Sequence, residues 1–202
     1  TGASKGMGKS MAMALAEHGS KVVISSRKLD QCEETAAEIN AACGEERAIA
    51  IACNIGYKEQ LQALVDETRE RLGPIDTLIA NAGVNPFYGP MSDIPDEAFD
   101  KTMNSNLRSN HWLCQMVASD MLAKGRGAIM ITASVGAFGP SETLGTYNIS
   151  KMADIALVRN LAMEWGPKGI RVNALCPGLI RTDFAKALWD NPEAAQRVTE
   201  QT

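Results

Sequence analysis

Tyr147 and Lys151, in the string Tyr-Asn-Ile-Ser-Lys, stand four residues apart, and Ser134 lies upstream of them. On a helix, positions i and i+4 share a face with Cβ atoms about 5–6 Å apart, so the phenol and the ammonium would be neighbours. A free tyrosine titrates near about 10, too high for a proton shuttle at neutrality. A nearby ammonium favours the phenolate and lowers that value; a fall of about three units corresponds to roughly 4 kcal/mol. A hydroxyl beside the pair can polarise a carbonyl. The trio therefore has the parts for acid–base chemistry at a carbonyl carbon: an acid, its activator and a donor to the oxygen. Such spacing also arises by chance, and Tyr57 and Tyr88 lack a lysine at the same interval. The reading gains weight from the order of features around it.

The chain opens on Thr1-Gly-Ala-Ser-Lys-Gly-Met-Gly8. Gly2, Gly6 and Gly8 permit a tight turn and a close approach of backbone to a phosphate. Met11, Ala12, Leu15 and Ala16 recur at helical spacing and predict a helix over 9–18. Its N-terminus would turn free N–H groups and the positive dipole end toward a pyrophosphate.

Positioning these groups requires a frame, and the chain alternates short apolar runs with longer amphipathic ones. Strands are expected at 21–26, 47–53, 75–80, 127–133 and 170–176, and further helices at 29–42, 58–72, 96–124 and 147–165. Asp93 or Asp96 can cap the long fourth helix. This alternation predicts an α/β fold, a Rossmann-type doubly wound parallel sheet with helices on both faces. No repeat, low-complexity stretch or linker divides residues 1–202, which read as one domain with a sizeable core.

The formal net charge of −4 argues against a nucleic-acid or acidic-membrane partner. No apolar run approaches the ~18 residues of a bilayer span. Cys32, Cys43, Cys53, Cys114 and Cys176 form an odd set without Cys-x2-Cys spacing, which suggests reduced thiols and a cytoplasmic location. His18 and His111 are too few and scattered to suggest a metal.

Together these residues resemble the short-chain dehydrogenase/reductase family. Its Thr-Gly-x3-Gly-x-Gly motif matches the opening eight residues, and its Asn-Ala-Gly motif matches Asn81, Ala82 and Gly83. Its helix asparagine falls on Asn106, its serine on Ser134, its Tyr-x3-Lys on Tyr147 and Lys151, and its Pro-Gly on Pro177 and Gly178. The matches run in order from residue 1 to residue 182. The resemblance implies hydride transfer between a nicotinamide and a carbonyl carbon, with Ser134 bonding the oxygen and Tyr147 giving it a proton. Lys151 would hold the nicotinamide ribose and lower the tyrosine pKa. Asn106 would interrupt its helix and hold a water leading from Lys151 to solvent.

The cofactor residues implied by the resemblance are Gly2, Ser4, Lys5, Gly6 and Met7 of the loop, then Ser26 and Arg27, Asn54 and Ile55. Asn81, Ala82 and Gly83 follow, with Tyr147, Lys151, Pro177, Gly178, Ile180 and Thr182. NAD-preferring relatives carry an acid after the second strand, on the ribose hydroxyls. Here Ser25-Ser-Arg-Lys28 has none. Arg27 can make a bidentate contact with a 2′-phosphate, and Lys5 matches a second basic position, so NADP(H) is expected in preference to NAD(H).

A substrate pocket is expected from residues 85–89, 136–143 and the segment after Thr182. Phe87, Tyr88, Phe138, Phe184, Leu188 and Trp189 there suggest an apolar or aromatic carbonyl compound. Asn85-Pro-Phe87, Pro177-Gly-Leu-Ile180 and Leu188-Trp189 resemble strings in the family's NADP-dependent carbonyl and retinal reductases. The alternative is a 3-oxoacyl-carrier-protein reductase, which needs a basic patch at the pocket mouth, with Arg108, Lys124 and Arg126 as candidates. A non-enzymatic nucleotide-sensing module is a third reading.

The helices at 96–124 and 147–165 are apolar nearly all round and require burial on two sides. In the family they join subunits, so a homotetramer, or a dimer, is expected. The family also places a strand before the glycine loop and further elements after the Pro-Gly. Residues 1–202 are therefore expected to belong to a longer polypeptide. The loss of one central strand would leave unpaired backbone on two neighbours and a slot through the core.

Overall fold

The computed structural model describes residues 1–183. Helix α1 (Gly6–Glu17) leads to strand β1 (Val22–Ser26), then α2 (Leu29–Cys43), β2 (Ala48–Ala52), α3 (Lys58–Leu72) and β3 (Thr77–Ala80). After a connection follow α4 (Asp96–Met103), α5 (Ser109–Lys124), β4 (Gly127–Thr132), α6 (Gly145–Trp165) and β5 (Ile170–Leu175). Most boundaries fall within a residue or two of the periodicity-based ones. The first helix starts earlier than its apolar spacing indicates, because its opening turn is Gly6-Met-Gly8 and carries no apolar face.

All strand pairings are parallel, and the strands of each sheet are covered by helices: α2 on β1 and β2, α5 on β3 and β4, α6 on β4 and β5. This is the Rossmann-type α/β arrangement. The sheet is divided, however, into β1–β2 and β3–β4–β5. Residues 1–3 tie the two parts together at one end. Ala3 N–H donates to the Ser25 carbonyl at 3.1 Å and the Thr1 amine to the Ile79 carbonyl at 2.9 Å. Below them a cavity of about 440 Å³ lies between Val22 and Val23 of β1 and Thr77, Leu78 and Ile79 of β3.

Helix 96–124 is not continuous. A π-turn at Asn104–Arg108 separates α4 from α5. The side chain of Asn106 takes up the geometry: its Oδ1 accepts from Val84 N–H at 2.8 Å and its Nδ2 donates to the Val84 carbonyl at 2.9 Å. Pro95, rather than Asp93 or Asp96, occupies the N-cap of α4, without a side-chain cap bond. Asp96 and Glu97 sit instead in the first turn, where the helix dipole favours them.

The principal core gathers Ile129 and Ile131 of β4, Leu113 and Met121 of α5, and Leu161 and Trp165 of α6. It is a rigid bed under the carboxyl ends of β3, β4 and β5, from which Asn81, Ser134 and Pro177 emerge.

Candidate active site

Tyr147 and Lys151 lie one turn apart on α6, and Ser134 follows β4 in the loop facing them. The Ser134 hydroxyl hydrogen-bonds the Tyr147 phenol and also accepts from Gly136 N–H at 3.1 Å. The Lys151 ammonium lies over the Tyr147 ring, 5.9 Å from its centroid. Asn106 is fully buried, and its Nδ2 donates to Ser150 Oγ on α6 at 3.0 Å. A Cβ placed on Gly83 would lie 3.4 Å from Asn106 Oδ1 and 3.6 Å from Lys151 Nζ. The structure thus brings Gly83, Asn106, Ser134, Tyr147 and Lys151 together from four separate stretches of chain.

Lys151 makes a contact that spacing arguments did not expose. Its ammonium donates to the Thr132 carbonyl at 2.8 Å and to Asp154 Oδ2 at 3.1 Å, with both residues of the pair buried. Asn110 Nδ2 donates to the other oxygen, Asp154 Oδ1, at 2.9 Å. Burial pushes the Asp154 carboxyl up, while Lys151 and Asn110 act in the opposite direction. Burial pushes the Tyr147 phenol above its ordinary value, the Ser134 bond opposes the rise and the Asp154 charge adds to it. The sequence did hold a signal for Asp154. It lies on the buried stripe of α6 with Val158, Leu161 and Trp165, where an unpaired carboxylate would be prohibitive.

The glycine loop is clamped from beneath. Asn81 Nδ2 donates to the carbonyls of Thr1 and Gly2 at 3.3 and 3.1 Å, and Thr1 Oγ1 accepts from the N–H groups of Asn81 and Ala82, each at 3.2 Å. Gly2 has φ +59°, and a Cβ there would meet Ala82 Cα at 2.9 Å. At Gly8 a Cβ would strike the Gly2 carbonyl oxygen at 2.2 Å. Lys5, the N-cap of α1, provides no side-chain cap, so the loop presents its own backbone at the helix N-terminus beside Gly6 and Met7. These residues fit a pyrophosphate. Asn81 supports the loop through its side chain, which is also met by the Thr132 hydroxyl at 3.2 Å.

Other expected contacts are more dispersed. Ser4 gives its carbonyl to Thr35 Oγ1 at 2.9 Å. Ser26 Oγ lies 3.1 Å from Cys32 Sγ, and Arg27 is exposed beyond it. Asn54 Oδ1 accepts from Gly56 N–H at 3.1 Å, while Ile55 packs against the core. The Lys5 ammonium forms an exposed ion pair with Asp183 at 2.9 Å. The Pro177 carbonyl accepts from Val135 N–H at 3.0 Å, and Gly178 and the exposed Ile180 follow. Thr182 is carried over the glycine loop, with its Cγ2 3.3 Å from a Cβ placed on Gly6.

Beside Tyr147 a small cavity is walled by Phe87, Met91, Ile94, Thr143 and Leu144. Tyr88 and Phe138 are exposed nearby in the chain, at 58% and 64%. Phe184, Leu188 and Trp189 lie outside the described residues. Lys124 and Arg126 precede β4, whereas Ser134 follows it, so they stand at the opposite end of a strand roughly 20 Å long. Of the three cations considered for a pocket-mouth patch, Arg108 alone escapes that objection, and its Nη1 donates to Asn104 Oδ1 at 3.3 Å.

Comparison with known proteins agrees with this geometry. The family profile for short chain dehydrogenases matches residues 1–193. The "Dehydrogenase/reductase SDR family member 4" of Bos taurus is 37% identical over 199 residues, covering 98% of this chain and 70% of that protein. A gluconate 5-dehydrogenase from Burkholderia cenocepacia, crystallised with NADP and tartrate, superposes with a TM-score of 0.93 at 29% identity, covering 100% of this chain and 78% of its own. A 7α-hydroxysteroid dehydrogenase complexed with NADH and 7-oxo glycochenodeoxycholic acid gives 0.91 at 36% identity, covering 98% and 75%.

Proposed function

The chain belongs to the short-chain dehydrogenase/reductase family of oxidoreductases, and from that premise we propose that it is an NADP(H)-dependent reductase of apolar or aromatic carbonyl compounds. The observation that carries this reading is the Ser134–Tyr147 hydrogen bond, set beside Lys151; the aromatic residues Phe87, Tyr88 and Phe138 of the flanking loops support an apolar substrate. The nicotinamide, when bound, supplies or accepts the hydride. Ser134 donates to the carbonyl oxygen and so draws charge onto it. Tyr147 gives that oxygen a proton in reduction and takes it back in oxidation. Lys151 holds the nicotinamide ribose, and Asn106 fixes the π-turn that faces it.

The glycine loop, through Gly2, Ser4, Gly6 and Met7, holds the pyrophosphate, and Asn54 and Ile55 border the adenine. Lys5 and Arg27 take a 2′-phosphate, and the absence of a carboxylate at Ser25-Ser-Arg-Lys28 supports that preference. Ala82, Gly83, Pro177, Gly178, Ile180 and Thr182 border the nicotinamide end. The position of Lys124 and Arg126 speaks against a carrier-protein substrate. The exposed Ile149, Met152 and Met163 on α6, with Phe99 on α4 and Leu122 on α5, support assembly into a homotetramer through these helices.

The test is Tyr147→Phe. Turnover of aromatic ketones, α-dicarbonyls and retinal should fall at least about 10³-fold, the upper range for a lost general acid, while NADPH affinity changes less than about threefold. Retained turnover would overturn the role given to Tyr147. Turnover confined to a 3-oxoacyl thioester would reassign the substrate, and a preference for NADH would reassign the cofactor.

A further inference from the structure

Asp154 is fully buried, lies one turn beyond Lys151 and has both carboxylate oxygens accepting, one from the ammonium and one from Asn110. An ionised carboxylate only accepts, whereas a protonated one must find an acceptor for its O–H. Neither the ammonium nor the amide donor facing it offers one. Asn110 is itself fixed, since its Nδ2 also reaches the Asn106 carbonyl at 2.5 Å. Asn106, Asn110, Asp154 and Lys151 thus form one continuous buried chain between the π-turn and α6. The hydride-transfer reading uses Asn106 and Lys151 and leaves Asn110 and Asp154 without a role.

Among the described residues, the groups that bear charge near Tyr147 can be named element by element. Its own helix brings Lys151 and Asp154; the β4 side brings the Ser134 hydroxyl and the Thr132 carbonyl. Helix α5 brings Asn110 and the Cys114 thiol, which burial pushes up to about 12 and which is therefore neutral at working pH. Cys176, beyond β5, packs against the cluster of Ala133, Ala137 and Ile155. Of these groups Lys151 and Asp154 carry the charges, and they lie 3.1 Å apart. Seen from the phenol they largely cancel, and in a buried site that cancellation is little screened by solvent.

We propose that Asp154, held by Asn110, is a positioning residue and the counter-ion of Lys151, and that the pair keeps Tyr147 protonated at neutral pH, ready to give a proton to a carbonyl rather than to take one from an alcohol. This deepens the functional reading above and rests on it: the site is set for reduction near neutrality, and oxidation of a secondary alcohol requires alkaline conditions. Removing the anion would leave the ammonium acting alone on the phenol, so the phenolate would form at lower pH.

The experiment is the pH dependence of alcohol oxidation and carbonyl reduction in the wild type, Asp154→Asn and Asp154→Glu. In Asp154→Asn the rising limb of oxidation should move at least about one unit toward acid, and Asp154→Glu should retain the wild-type limb. A lower rate with an unmoved limb would assign Asp154 to structure alone and overturn the proposal. The tyrosinate absorbance of Tyr147, isolated by subtracting the spectrum of Tyr147→Phe, reads the same displacement without turnover. If the wild type turns over no carbonyl, the functional reading fails while this titration still decides the charge relation. If Asp154→Asn does not fold, carboxyl ¹³C titration of the wild type, assigned against Asp154→Glu, takes its place. A resonance ionised at pH 7 supports the counter-ion, and one protonated there overturns it.

Discussion

Tyr147 and Lys151 could be picked out by type and spacing, because the chemistry they serve requires a phenol near an ammonium, whereas Ser134 took its role from the family resemblance. The meaning of Lys151 could not be read in the same way. Its neighbour at i+3 is a carboxylate on a buried stripe, and only packing shows that the two meet with Asn110 behind them. The glycine loop teaches the converse lesson, since its residues announce the conformation that the fold then enforces. Gly8 is the clearest case, because an added methyl would overlap the Gly2 carbonyl oxygen and crowd Asn81 Nδ2 at 2.7 Å. The obstacle is backbone and cannot swing aside. Gly8→Ala should cost about 1–3 kcal/mol, as overpacking does, and weaken NADPH binding at least tenfold. A thermal melt and a cofactor titration check both; an unchanged melt would show that the loop can yield.

Among the elements, apolar periodicity located every β-strand of the described chain and the α-helical stretches, with α4 and α5 as one, and it failed where side chains rather than periodicity decide. The break at Asn104–Arg108 is invisible in a continuous helical pattern, since it depends on Asn106 meeting Val84 from another part of the chain. A similar long-range bond fixes α3 to α5. Arg69 Nε donates to both oxygens of Asp120 at 3.2 and 3.0 Å, and Ile75 N–H donates to the same carboxylate at 3.0 Å. Burial alone would raise the Asp120 carboxyl, but these bonds outweigh it and hold it below its ordinary value. Its folded pKa is depressed, so its stabilisation is present above about 3.8, the unfolded value, and is lost as pH falls through the folded one. Asp120→Ala should therefore cost about 2–4 kcal/mol at pH 7, for lost charged bonds and a stranded Arg69. In urea titrations the difference from wild type should shrink as pH falls below about 3.8. A difference constant with pH would mean that the carboxylate charge is not what matters.

For the whole molecule, helices α4, α5 and α6 leave Phe99, Leu122, Ile149, Met152 and Met163 open to solvent, while the opposite stripe of α6 is sealed on the core. Met152→Glu would place a charge on the face proposed to meet a second copy, without touching Lys151 or Asp154. It should reduce the assembly measured by light scattering while circular dichroism stays as in the wild type; an unchanged mass would place the contact elsewhere. The sequence by itself determined the fold class, the parallel direction of the strands and the identity of the candidate acid, its lysine and the phosphate loop. These follow from local causes: alternating apolar runs, residue spacing and the backbone freedom of glycine. The tertiary structure alone decided the meeting of Asn106 with Val84, the clamp of Asn81 on the glycine loop and the burial of Asp154 against Lys151. Each depends on contacts between segments far apart in the chain, and on the loss of solvent that turns an ordinary carboxylate into the partner of a buried ammonium.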